Sequence, residues 1–162
     1  MLGAVAAAIA WLEPSQATLS GNGARASDGD SLRLGAERIR LIGLDAPELD
    51  QSCTDGQGKA WACGAAARER LAALLAVGPI ACRPDGHDRY GRVLATCTVA
   101  ERDLGHAMVA EGLAVASGDY VVEELKARAA GLGIWSGPFE RPRDWRDRDA
   151  PTPWGWLTSL WP

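Results

Sequence analysis

The chain has 162 residues, a formal charge of −4 and an isoelectric point near 5.2. That length fits one domain with tails, and a hydrophobic content of 47% can fill one core. The acidic balance excludes a protein that grips nucleic acid by bulk positive charge, because phosphate contacts come mainly from Lys and Arg. Any phosphate contact must therefore rest on a local basic cluster.

The four cysteines, Cys53, Cys63, Cys82 and Cys97, include no Cys-x-x-Cys pair, which argues against a structural zinc site. An even count in a small domain fits two disulfides and an oxidising compartment. The competing reading is four buried thiols in a cytosolic protein.

In chain order, Leu2 to Leu12 is almost wholly apolar and too short to span a bilayer comfortably. It reads as the apolar part of a secretory signal, with Ser15-Gln16-Ala17 as a small-x-Ala cleavage site. No Lys or Arg precedes it, which leaves a short anchor or a buried helix as alternatives. We take residues 1–17 as this segment, 18–136 as the folded domain and 137–162 as an extension. The expected mature protein is secreted or periplasmic, monomeric and without a stable membrane span.

A first strand is expected near Ala24, interrupted by Asp28-Gly29-Asp30 as a turn or bulge. Ser31-Leu32-Arg33-Leu34 and Glu37-Arg38-Ile39-Arg40-Leu41 alternate about Gly35-Ala36, the pattern of a β-hairpin. Folding it there makes Asp30 and Arg40 neighbours. Arg40 and Asp45 are an odd number of residues apart, so one regular strand would point them to opposite faces. Either Gly43 marks a bulge or the strand ends before Asp45. A polar stretch follows over 49–58. Then comes a helix from about Lys59 or Ala65 to Ala76, with Ala67, Leu71, Leu74 and Leu75 on one face.

Ile80 to Pro84 and Val93 to Val99 read as paired strands. If their hairpin centres between Arg89 and Tyr90, Cys82 lies opposite Cys97, where a cross-strand disulfide is plausible. Cys53 then pairs with Cys63. Asp103 is a good N-cap for a short helix carrying Leu104, Ala107 and Met108, stopped by Gly112. A third helix is expected from Tyr120 to Ala130, capped by Asp119, with Val121, Val122, Leu125 and Ala129 as its apolar side. After Ser136 the composition becomes charged and proline-punctuated, then rich in Pro and Trp. We read this as a tail packed on the domain or partly disordered, in preference to a membrane or partner contact.

Three stretches carry chemistry: Asp28-Gly29-Asp30-Ser31, Arg40-Leu41-Ile42-Gly43-Leu44-Asp45-Ala46-Pro47-Glu48 and Asp88-Arg89-Tyr90-Gly91-Arg92. Carboxylates and a guanidinium gathered at a strand end point to a site that handles metal and phosphate. Taken together, in this order, they resemble the motifs of the staphylococcal-nuclease-like (thermonuclease) family. The resemblance implies an α+β, mainly β fold: a five-stranded OB-type barrel with three packed helices. It implies calcium-dependent hydrolysis of DNA, with RNA a second substrate, at little sequence specificity and leaving 3′-phosphate ends. By the same resemblance Asp30, Asp45 and the Ala46 carbonyl hold Ca2+. Arg40 and Arg92 clamp phosphate, and Glu48 is the general base. Ala46 stands where the family often has Thr. Arg89, Tyr90 and Tyr120 match nucleotide contacts, although Ala116-Ser117-Gly118-Asp119 replaces part of the aromatic pocket. His87 and His106 are not needed by the family. The alternative is a non-catalytic barrel of this kind that binds nucleic acid or protein.

Overall fold

The expected hairpin is the centre of the sheet. The structure, a computed structural model, describes residues 17–148. The signal-like segment before Ala17 and the Trp-rich end after Arg148 lie outside the described residues. Strands β3 (Ser31–Leu34) and β4 (Glu37–Leu41) pair antiparallel with Ser31 opposite Arg40 and Leu34 opposite Glu37, the register set by the Gly35-Ala36 turn. Alternation then buries Leu32, Ile39 and Leu41 while Arg33 and Arg38 face away.

Two short strands precede this hairpin where one was expected. β1 (Leu19–Gly21) pairs with β8 (Ile80–His87), and β2 (Arg25–Ala26) pairs with β3. β8 runs three residues beyond the expected Pro84 and pairs antiparallel with β9 (Val93–Val99), with an irregularity between Pro84 and His87. β9 lies parallel to β4 and also carries β10 (Arg102–Asp103). The sheet order is β1-β8-β9-β4-β3-β2. Among the described residues the end strands β1 and β2 do not pair with each other.

β4 ends at Leu41, and Gly43 at φ 82° turns the chain into the two-residue β5 (Leu44–Asp45). This break resolves the parity of Arg40 and Asp45. β5 pairs with β11 (Val115–Ala116). The expected polar loop after it contains a small ribbon, β6 (Cys53–Thr54) with β7 (Ala60–Trp61).

Helix α1 (Cys63–Leu75) buries Ala67, Leu71, Leu74 and Leu75, the face its spacing predicts. Helix α2 (Leu104–Ala110) starts where Asp103 accepts a hydrogen bond from the His106 N–H, and it buries Leu104, Ala107 and Met108. These helices and the inner sheet face share one core, in which each fully buried Leu contributes roughly 1.5–3 kcal/mol.

Helix α3 (Val121–Ala129) departs from expectation. Its buried residues are Glu124 and Ala127, whereas Val121, Val122 and Leu125 are more than half exposed. The Glu124 carboxylate pairs with Arg128 and accepts the Ala116 N–H, so a polar contact fixes the inward face. Its cap is Tyr120, in the left-handed region at φ 61°, and not Asp119.

A second cluster joins Cys53, Cys63, Val115 and Ile134 to Trp61, Trp135 and Phe139. It seats the end of the described chain, where a fourth helix, α4 (Pro142–Asp147), joins the three that were expected. Thr54 donates its N–H to the Pro138 carbonyl at 3.1 Å, and Pro142 is fully buried.

Both expected disulfides are present, Cys53–Cys63 and Cys82–Cys97. The second spans 15 residues across the β8–β9 hairpin. Replacing both Cys82 and Cys97 by Ala is expected to lower stability by about 2–4 kcal/mol, read by urea unfolding of the oxidised protein and the double variant.

Candidate active site

Asp30 is the most buried acid of the site, and its environment explains how a carboxylate tolerates that. The Asp28 carboxylate accepts the Asp30 N–H at 2.9 Å, folding 28–30 into a turn that delivers Asp30 to the start of β3. Across the hairpin, Arg40 Nη1 donates to Asp30 Oδ1 at 2.8 Å, and its Nη2 donates to Asp45 Oδ1 at 2.9 Å. Asp30 also accepts from the Ser31 hydroxyl and from the Ala46 N–H. Burial raises the Asp30 carboxyl to about 7, with Arg40 pulling the other way and Asp28 adding to the rise.

Glu48 follows the Pro47 stop. Its N–H donates to the buried Gln51 side-chain oxygen at 3.2 Å, and Gln51 Nε2 donates to the Glu140 carbonyl at 2.6 Å. Gly64, at the start of α1, packs against this loop so closely that a Cβ there would lie 1.6 Å from the Glu48 carbonyl oxygen. The Glu48 position is thus set by α1 and by the segment around Glu140 as well as by its own loop.

Asp88 organises the third motif. It accepts the backbone N–H groups of Tyr90 and Arg92, and Arg92 Nε at 2.6 Å. Burial alone would raise its carboxyl; the hydrogen bonds from Arg92 and Tyr90 outweigh it and hold the value at about 2. Arg92 reaches the Ser31 hydroxyl at 3.3 Å, which joins the third motif to the first. Arg89 and Arg92 lie 4.8 and 5.7 Å from the exposed Tyr90 ring, a cation–π pair of contacts.

An open cavity of about 890 Å³ connects these groups. Arg38, Arg40, Arg89, Arg92 and Arg146 face Asp28, Glu48, Asp88 and Asp147 around it, five cations against four anions. This is the local basic cluster that an acidic chain requires in order to receive a phosphate.

The structure brings together Asp30, Arg40, Asp45, Ala46, Glu48, Arg89, Tyr90 and Arg92. It separates Tyr120 from them. The Tyr120 hydroxyl donates to the Asp103 carboxylate at 3.1 Å, and its ring packs over Gly43 and Gly105, away from the cavity lining. Burial, with Asp103 beside it, pushes that phenol well above its usual range. His87 is likewise absent from the cavity lining, and His106 lies 3.6 Å from Glu123.

Sequence reasoning missed Arg146. From α4 its Nη1 donates to Asp45 Oδ1 at 3.0 Å and to Glu48 Oε1 at 2.7 Å, and its Nη2 donates to Asp45 Oδ2 at 3.0 Å. Desolvation would lower its pKa, but the bonds to Asp45 and Glu48 win and raise it. Gln51 was also missed. Neither belongs to a motif, and both act across about 90 or more residues of sequence.

Asp30 and Asp45 offer the hard oxygen atoms that a calcium-like cation takes, with Ala46 directly following. Among the described residues no group of three acids, histidines or cysteines converges, so backbone carbonyls and water would have to complete such a shell.

Carboxylates, arginines and a cavity of this kind define a phosphate-handling site. The family model for staphylococcal nuclease homologues matches residues 38–137, and the chain belongs to that family. The match begins after Asp30. Among curated relatives, the chain is 36% identical over 115 residues to the succinoglycan biosynthesis protein ExoI of Rhizobium meliloti, covering 67% of this chain and 60% of that one. It is 31% identical to protein ParB of Escherichia coli, covering 87% and 88%. It is 29% identical to an uncharacterized endonuclease of Haemophilus influenzae, covering 76% and 70%. The match therefore spans less than two thirds of the ExoI relative.

Removing Arg40 leaves the buried Asp30 carboxyl protonated at neutral pH. The stability lost in Arg40→Ala is therefore expected to grow as pH rises above about 7, and Asp30→Asn in the same chain to remove that pH dependence, both by urea unfolding. Asp88 gives a pH signature. Its folded value is depressed from 3.8 to about 2, so its stabilisation is complete above the ordinary value and fades as pH falls toward 2. The stability gap between the wild type and Asp88→Asn is expected to shrink over that window, read by thermal unfolding.

Proposed function

We propose that this protein is a calcium-dependent nuclease that hydrolyses phosphodiester bonds of DNA, and of RNA, with little sequence preference. The observation that carries the proposal is the convergence of Arg40, Glu48 and Arg92 on one cavity beside the Asp30–Asp45 pair. A phosphodiester repels nucleophiles by its own charge, so its hydrolysis needs fixed positive groups and an activated water.

In this reading Arg92, held by Asp88 at its Nε, offers its guanidinium to the phosphate, and Arg40 adds a second at the strand end. Glu48 takes the proton from the attacking water, and a position one-third exposed at the cavity suits that role. Asp30, Asp45 and the Ala46 carbonyl would hold the calcium ion, which when bound supplies charge neutralisation at the phosphate. Arg89 and Tyr90 line the approach for the nucleotide.

The scaffold reading is an OB-type barrel of five strands. Only residues 22–24 separate β1 from β2. Taken as two halves of one bent strand, they join β8 to β3 and close the ring. The two disulfides support a secreted or periplasmic location. A monomer completes the reading.

Purified oxidised protein is expected to cleave single-stranded DNA with calcium and to stop when a chelator is added. Glu48→Gln and Arg92→Ala are each expected to reduce the rate by at least about 10²-fold while leaving the fold intact by circular dichroism. Calcium-independent cleavage, or full activity in both variants, would overturn this reading, and no cleavage by folded protein with any divalent ion would leave a binding module on this scaffold.

A further inference from the structure

We propose that Arg146 is a tethered competitor for the cation position, so that a divalent ion reaches Asp45 only when α4 withdraws its guanidinium. The inference rests on the reading of Asp45 as a cation ligand. The geometry is specific. Both Asp45 oxygens accept from Arg146, each at 3.0 Å, and Oδ1 also accepts from Arg40. A hard cation binds through those same oxygens. Two guanidinium groups and a divalent ion on one carboxylate would set like charges in contact in a site where neither Arg can shed its proton.

Arg146 is the group that can leave. Arg40 belongs to β4 in the middle of the sheet and is pinned to the buried Asp30. Arg146 stands on a six-residue helix near the end of the described chain. Its contacts also set it apart from an arginine waiting for phosphate. Arg92 is held through Nε by one carboxylate. Arg146 instead gives both terminal nitrogens to acids, Nη1 to Asp45 and Glu48 and Nη2 to Asp45. It therefore covers the proposed ligand and the proposed base together.

The surrounding space agrees. Asp45 and Ser117 line a second cavity of about 500 Å³, and Glu48 lines the larger one. Asp147, next to Arg146, borders both. Residues of α4 thus line both the cavity at Asp45 and the one at Glu48.

The test is calcium titration by isothermal calorimetry on the full oxidised chain and its Arg146→Ala, Arg146→Gln and Asp45→Asn variants. An arm docked nine parts in ten raises the apparent Kd about tenfold. Both Arg146 variants are therefore expected to bind calcium about tenfold more tightly than the wild type, and Asp45→Asn to lose binding. In the wild type, calcium is also expected to speed amide hydrogen exchange across 142–147. Equal affinity in wild type and both Arg146 variants, with binding still lost in Asp45→Asn, would overturn the competition and leave the cation site standing. Calcium binding that ignores Asp45, or none in any variant, would overturn both. Arg146→Gln keeps hydrogen-bonding capacity without the charge, so it reports even where Arg146→Ala loosens the arm.

Discussion

The Arg40 guanidinium bridging Asp30 and Asp45 is the contact on which the other features of the site depend. Asp30 is 3% exposed, and an isolated carboxylate at that depth would shed its charge. Arg40 offsets this from the facing strand, because the hairpin register puts Ser31 opposite Arg40 and so sets Asp30 just beyond it. The same fork reaches Asp45 only because β4 stops at Leu41 and Gly43 swings the next residues round. The pairing thus requires a particular turn, a particular register and a particular strand break. Burial still raises the Asp30 carboxyl against the pull of Arg40.

That arrangement has a consequence for charge. The chain as a whole is negative, yet the cavity is faced by five arginines and four acids. Several of these arginines are already committed: Arg92 to Asp88, Arg40 to Asp30 and Asp45, and Arg146 to the same Asp45 and to Glu48. These pairings keep the cavity near neutrality, so its field depends on local geometry more than on long-range attraction.

The sequence disclosed the parts of this site that are local. Gly35-Ala36 between two alternating runs was enough for the hairpin and its register. The spacing of Cys82 and Cys97 about the Asp88–Gly91 turn was enough for their pairing. Asp103 before an apolar triplet was enough for a cap. Each of these rests on a few neighbouring residues and on a period of two or 3.6. The inward face of α3 was not legible, because periodicity selects the apolar side and cannot foresee that Glu124 would be recruited by the Ala116 N–H and Arg128. Tyr120 was misleading for a related reason. Its nucleotide role came from resemblance alone, whereas its hydroxyl is taken by Asp103, 17 residues upstream.

Arg146 and Gln51 show the limit more sharply. An arginine among Arg141, Arg143 and Arg148 has no pattern that singles it out. What selects it is the route of the chain. Trp135 packs edge-on to Phe139 at 4.9 Å, the Pro138 carbonyl is taken by Thr54, and Gln51 holds the Glu140 carbonyl. These anchors lie within a few residues of the Cys53–Cys63 bridge, so the disulfide that braces the loop after Glu48 also fixes where the arm turns. From there only a short helix is needed to bring a guanidinium to Asp45. The Glu48 loop and the segment that covers it therefore share one set of supports, and a change that loosens Gln51 acts on Glu48 and on Arg146 at once.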